Sequence, residues 1–235
     1  MNWQAAAIKP GERIIVALDV PNSDGALALV RQLSPHPGLF KIGLQLYTAA
    51  GPEIVRAVRD QGGRVFLDLK LHDIPNTVGR AVESACSLGV DMLTLHLSGG
   101  RAMIEAAARS AAEGMLLLGV TVLTSSDEAT LRETGVNSSM QEQVLRLAQL
   151  GVEGGITGLV ASPYELGPLR SAHGAKIKIV TPGIRPSGSA TGDQKRVTTP
   201  AEALRAGADF LVIGRPITAA PDPRGALDQI LADVV

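Results

Sequence analysis

Eight short apolar runs, rich in β-branched residues, recur along the chain and constrain its fold more than any other feature. They begin near Arg13 (RIIVALDV), Leu39 (LFKIGL), Arg64 (RVFLDLK), Asp91 (DMLTLHL), Met115 (MLLLGVTVL), Thr157 (TGLVAS), Lys176 (KIKIV) and Asp209 (DFLVIG). Each has the length of a buried strand. Most steps between them are about 20–32 residues, the size of one βα unit. The step from the fifth run to the sixth is longer and carries an extra segment, SSDEATLRETGVNSSM. Between the runs the apolar spacing turns helical. Ala26, Leu29, Val30 and Leu33 follow an i, i+3, i+4, i+7 pattern, and Val78, Val82, Ala85 and Leu88 a similar one. Gly62, Gly89, Gly114, Gly151 and Gly207 stand where helices are expected to end.

Strict alternation of strand and helix implies a parallel sheet, because parallel strands need crossovers. Eight units predict a closed (β/α)8 TIM barrel rather than an open sheet. No linker or composition break interrupts the pattern, so residues 11–235 read as one barrel domain, with 1–10 a short N-terminal segment.

The chain of 235 residues is 45% hydrophobic and 19% charged, which excludes disorder and supports a real core. No apolar stretch reaches the roughly 18 residues of a membrane helix. The start, MNWQAAAIKPGER, lacks the apolar region of a secretory signal. One cysteine excludes an intrachain disulfide and a multi-cysteine metal site. With 22 basic and 23 acidic residues and no dense basic run, a nucleic-acid surface is not expected. One Trp, two Tyr and three Phe are too few for base-stacking platforms. A cytoplasmic enzyme or a small-molecule binding domain remains.

A barrel of this kind carries its chemistry at the C-terminal ends of its strands. The polar residues there are Asp19, Lys41, Asp68 with Lys70, His96, Thr124, Ser162, Pro182, and the pair Gly214–Arg215. The segment VFLDLKLHDIPNTV, residues 65–78, is the most informative. Residues i and i+2 of a strand share a face. Asp68 and Lys70 therefore point together to the barrel mouth, while Leu67 and Leu69 point to the helices. Asp73 follows in the loop, and Pro75 suits the first turn of the next helix because its missing N–H costs nothing there. Lysine is scarce, six against sixteen arginines. Two of the six, Lys41 and Lys70, fall near strand ends. Flanking carboxylates favour the ammonium form of a lysine, which suits a proton donor and electrostatic partner. A Schiff-base lysine would prefer a less acidic setting. A strand-end salt-bridge network with no catalytic role is the competing reading.

The run DLKLHDIPNTV, with ALDVP at Asp19, FKIG at Lys41, TVLTS at Thr124, TPGIRP at Gly183 and VIGRPI at Arg215, resembles the bacterial type of the orotidine 5′-phosphate decarboxylase family. The similarity spans essentially the whole chain in the family's order. Asp-x-Lys-x-x-Asp alone is shared with sugar-phosphate relatives such as 3-keto-gulonate-6-phosphate decarboxylase and hexulose-phosphate synthase. HDIPNTV and TPGIRP with the later GDQ are more specific.

The resemblance implies decarboxylation of orotidine 5′-monophosphate to UMP and CO2, with neither metal nor organic cofactor. It implies an alternating array of Lys41, Asp68, Lys70 and Asp73, in which Lys70 stabilises and protonates the C6 carbanion. It further implies a homodimer, with Asp73 and Thr77 lent to the neighbouring subunit's site. Asp19 and Lys41 would hold the ribose hydroxyls and Thr124 the pyrimidine. Pro182, in TPGIRP, joins the substrate-binding positions. Barrels often grip phosphate with the loops after strands seven and eight. These offer Arg185 and Gln194, then Gly214 and Arg215. Closure of the long loop GIRPSGSATGDQKR over substrate is expected from its length and Gly/Ser content.

Other candidates are read as structural. His72 is assigned to hydrogen bonding around its loop, and His96 to packing or support of the site, since the implied chemistry has no step for it. His36 and His173 lie in polar connections. Cys86 reads as a small hydrophobe, and Trp3 as a packing anchor. Two other functions compete. A Mg²⁺-dependent sugar-phosphate enzyme on the same barrel would carry a metal-ligating glutamate where Phe66 stands. A phosphate-ligand binding barrel without catalysis would need no such charge array.

Overall fold

The structure, a computed structural model, describes residues 8–35, 38–186 and 198–234. The eight apolar runs form eight strands: β1 (Ile14–Ala17), β2 (Leu39–Gly43), β3 (Val65–Leu71), β4 (Met92–His96), β5 (Leu116–Val120), β6 (Gly158–Val160), β7 (Lys178–Thr181) and β8 (Phe210–Ile213). All neighbours pair in parallel, and β8 returns to β1 through Ile15↔Val212 to close the barrel. The expected (β/α)8 architecture is the one observed. Pro10–Arg13 form a single 3₁₀ turn leading into β1.

The helices are α1 (Ser23–Leu33), α2 (Leu44–Ala50), α3 (Glu53–Asp60), α4 (Pro75–Ser87), α5 (Arg101–Ser110), α6 (Glu128–Glu133), α7 (Met140–Glu153), α8 (Leu166–His173), α9 (Pro200–Ala206), α10 (Arg215–Thr218) and α11 (Pro223–Asp233). Local chemistry starts them. The Asn22 side chain accepts from Gly25 N at 2.9 Å, and Ser139–Glu142 and Thr199–Glu202 form reciprocal capping boxes. Pro75 opens α4 at its first position. The extra segment between the fifth and sixth runs contains α6. No helix among the described residues is long and apolar enough to cross a membrane.

Period-two alternation splits the core into two layers. Ile15, Leu39, Phe66, Met92, Leu116, Leu118, Val180 and Phe210 fill the barrel interior. Their neighbours Ile14, Val16, Phe40, Ile42, Leu67, Leu93 and Leu95 pack outward against the helices. Above the interior apolar layer the same inward columns end in polar residues, so the strands lift the charges to the mouth.

Two of the glycine expectations change. Gly62, Gly89 and Gly207 do turn the chain after helices with positive φ. Gly114 also has positive φ, but it turns the chain before β5, since α5 already stops at Ser110. Gly151 lies inside α7. A Cβ there would come within 2.8 Å of the Leu97 side chain, so it is kept small by packing rather than by a helix end.

Candidate active site

The barrel mouth holds a cavity of about 250 Å³. Phe66, Val120, Val160, Val180 and Val212 give it an apolar floor. Asp19, Lys41, Asp68 and Lys70 line one wall, and Thr124, Pro182, Arg185, Gly214 and Arg215 complete the rim. Nine of the expected residues thus converge from the ends of β1, β2, β3, β5, β7 and β8.

The charges alternate in sign. Lys41 Nζ lies 3.0 Å from Asp19 Oδ1 and 3.9 Å from Asp68 Oδ2. Lys70 Nζ donates to Asp68 Oδ1 at 2.8 Å. Side-chain exposure runs from 59% at Asp19 to 11% at Lys41, 14% at Asp68 and 28% at Lys70. Burying charges of one sign would be prohibitive. Alternation lets each partner offset the other's lost hydration. Gly43 makes room for this arrangement, since a Cβ there would lie 3.0 Å from Lys41 Nζ.

The backbone under Lys70 departs from a regular strand. β3 and β4 pair at Leu67↔Leu93 and next at Leu71↔Leu95, so three residues of β3 face one of β4. Lys70 takes φ 51°, the one positive value among the described non-glycine residues. Such a conformation costs of order 1–3 kcal/mol and persists only where its surroundings hold it. Opposite the bulge sits Thr94. Its hydroxyl accepts from Lys70 N at 2.9 Å and donates to Asp68 Oδ1 at 2.9 Å. The sequence reading missed Thr94 because it considered only strand ends. The available signal was its place between Met92 and His96 on the inward column of β4.

His96 stands beside this group. Its ring centroid is 5.6 Å from that of His72, tilted by 42°. Burial lowers its pKa below the ordinary 6.5, and the charges of His72 and Lys70 add to the lowering against a smaller raising by Asp68. Neither histidine lines the cavity. Ser162 is not part of the site either. It is buried at the start of a 3₁₀ turn, in a capping box with Glu165. Cys86 packs against the outer core layer, and His173 ends α8 with its pKa lowered by burial.

Arg185 and Arg215, after β7 and β8, are close enough to interact. Burial lowers the Arg185 pKa, and the charge of Arg215 lowers it further. Two guanidiniums held together in this way favour an anion between them. The ends of the long loop after β7 are pinned, because Ile184 bridges Thr198 and Arg185 N donates to Thr198 O at 3.0 Å. Gln194 and the loop expected to close lie outside the described residues, as do His36 and Trp3.

Asp73 and Thr77 do not join the cavity of their own chain. Both are exposed, and Asp73 Oδ1 accepts from Ile74 N. The charge run within one chain is therefore Asp19–Lys41–Asp68–Lys70.

Residues 12–230 match the model of the Orotidine 5'-phosphate decarboxylase / HUMPS family. The chain belongs to this family. It is 53% identical over 232 residues to the orotidine 5'-phosphate decarboxylase of Moorella thermoacetica, covering 95% of this chain and 92% of the relative. It is 54% identical over 224 residues to that of Opitutus terrae, covering 94% and 97%. A crystal structure of orotidine 5'-phosphate decarboxylase from Lactobacillus acidophilus superposes with a TM-score of 0.83 at 36% identity, covering 94% of this chain and 98% of that one. The family membership spans the barrel from the turn before β1 into α11, so every cavity residue described above falls within the matched region.

Proposed function

We propose that the chain decarboxylates orotidine 5′-monophosphate to UMP and CO2, in pyrimidine biosynthesis, with Lys70 as the proton donor. The observation that carries this reading is the Lys70–Asp68 pair at 2.8 Å, which shares one cavity with an apolar floor and two arginines. The C6–carboxylate bond breaks, CO2 departs, and the electron pair remains on C6. The Lys70 ammonium stabilises that charge and then transfers a proton to C6, leaving a neutral amine that regains its proton from solvent. Fixed charge in a water-poor cavity suits a carbanion lacking its own electron sink. Asp68 Oδ2 faces the departing carboxylate, Asp19 and Lys41 take the ribose hydroxyls, Thr124 and Pro182 flank the base, and Arg185, Gly214 and Arg215 take the phosphate. Gln194 is assigned to the phosphate with them. Phosphate binding remote from the ring helps to offset desolvation at the reacting carbon.

We assign Asp73 and Thr77 to the site of a second copy in a homodimer. Their exposure supports this, as does Ile74 between them, an apolar side chain 66% exposed at the mouth. The reaction is assigned no metal or cofactor, since Phe66 stands inward where a ligating glutamate would be needed. The near-neutral charge suits a cytoplasmic enzyme with no nucleic-acid partner. Residues 11–235 are taken as one catalytic domain.

The test follows orotidine 5′-monophosphate by ultraviolet absorbance. Turnover that survives EDTA is expected. No turnover rejects the function, and turnover abolished by EDTA favours the Mg²⁺-dependent alternative. Mixing Lys70→Ala with Asp73→Ala chains should restore activity through one intact shared site. No recovery in confirmed mixed dimers rejects the sharing.

A further inference from the structure

We infer that Thr94 is a positioning residue that holds the Lys70–Asp68 pair in its reactive geometry. The inference rests on the decarboxylase reading for its consequence, but its geometry is independent of that reading.

In a regular parallel strand alternate residues bond opposite neighbours. Arg64 O accepts from Phe40 N on the β2 side and Val65 O from Asp91 N on the β4 side, so a regular continuation would turn the Lys70 N–H toward β2, whose pairing ends at Gly43↔Asp68. The bulge between Leu67↔Leu93 and Leu71↔Leu95, with Lys70 at φ 51°, turns the amide to the β4 side, where it meets the Thr94 hydroxyl at 2.9 Å. A hydroxyl has one donor and two acceptor positions. Thr94 uses one acceptor for Lys70 N and its donor for Asp68 Oδ1, also at 2.9 Å. The same Asp68 oxygen receives Lys70 Nζ at 2.8 Å. The bonds close a ring: Lys70 amide, Thr94 hydroxyl, Asp68 carboxylate, Lys70 ammonium. One side chain thus restrains both the backbone and, through Asp68, the tip of the lysine.

Two further features fit this role. Lys70 has a left-handed backbone that needs external support. Thr94 is completely buried, so its hydroxyl has no water to exchange with in place of these partners. With Oδ1 of Asp68 held by two donors, Oδ2 is the oxygen left toward Lys41 at 3.9 Å and toward the cavity. Thr94 therefore sets which carboxylate oxygen the substrate meets.

The experiment compares Thr94→Val, which keeps the shape and removes the hydroxyl, with Thr94→Ser, which keeps the hydroxyl. Thr94→Val should lower kcat by ~30- to 100-fold, the scale of a misplaced reacting group, with KM within about threefold of wild type. Its affinity for UMP should hold within about threefold, because the phosphate and ribose contacts lie elsewhere. Thr94→Ser should recover most of kcat. Amide hydrogen exchange at Lys70 provides a readout that needs no turnover: protection should fall in the valine variant and hold in the serine variant. Unchanged kcat and exchange in Thr94→Val would overturn the inference. So would a serine variant as impaired as valine, or a parallel loss of UMP affinity and fold stability, which marks a general packing role. If the wild type fails to turn over orotidine 5′-monophosphate, the functional reading falls, and the exchange result alone decides whether Thr94 holds Lys70.

Discussion

Charged side chains gather at both ends of the barrel, and they are bonded in different ways. At the N-terminal end, Asp91 precedes β4 and Asp209 precedes β8. Each reaches back to the preceding strand and accepts a backbone N–H there, Val65 N at 2.9 Å and Ile179 N at 2.8 Å. Each also meets basic neighbours: Arg64 and Arg59 at Asp91, Arg170 and Lys178 at Asp209. These carboxylates tie the start of one strand to the next. At the C-terminal end, Asp68 accepts from side chains only, its partners are lysine and threonine, and it borders an open cavity. The residue types overlap. Asp91 and Asp209, tied to the amides of the preceding strands, belong to the frame, whereas Asp68, held by side chains beside open space, is left available to a ligand.

That contrast is broken most directly by removing one member from each end. Lys70→Ala should lower kcat by ~10³-fold or more while the fold survives, as expected for loss of preorganised charge. Steady-state turnover with circular dichroism checks both halves. Arg215→Ala should lower kcat/KM for the phosphorylated substrate by ~10- to 100-fold and leave the slow reaction of the bare nucleoside almost unchanged, since hydrogen bonds to charged groups carry that much. Equal losses on both substrates would remove Arg215 from the phosphate.

At the other end, Asp209→Ala should leave kcat unchanged and lower stability by about 2 kcal/mol, because Ile179 N and Arg170 lose an acceptor. Thermal melting should register this as roughly 4–8 °C. A loss of turnover without a loss of stability would erase the distinction between the two ends.

The smallest effect belongs to His96. Its folded pKa lies below 6.5, so the unfolded chain takes up the proton first as pH falls. Stability is therefore full above about pH 6.5 and declines below it, toward the lowered folded value. His96→Asn should flatten that part of the stability profile, as melting between pH 7.5 and 5.5 would reveal.

Much of the site could be read locally. Asp68 and Lys70 share a face because they are two apart in a strand, and strand ends face the ligand side in this architecture. Pro75 announced α4 through its position relative to the loop. Gly151 was misplaced because a glycine in a helix made small by packing looks the same in sequence as one that ends it. Thr94 was passed over for a related reason. A threonine in the middle of an apolar run reads as a β-branched strand residue until its opposite neighbour is known.

Eight strands, the helical stretches that alternate with them, and the family are legible in the chain alone, since periodicity and motifs are carried by neighbouring residues. Which charges meet depends on how the strands pair. Lys41 and Asp68 are brought together by the pairing of β2 with β3, and Lys70 meets Thr94, 24 residues away, only through the shifted register of β3 against β4. Register in a closed barrel is a collective outcome of all eight strands, and no local run encodes it. Asp73 and Thr77, beyond the end of β3, are exposed and do not line the cavity.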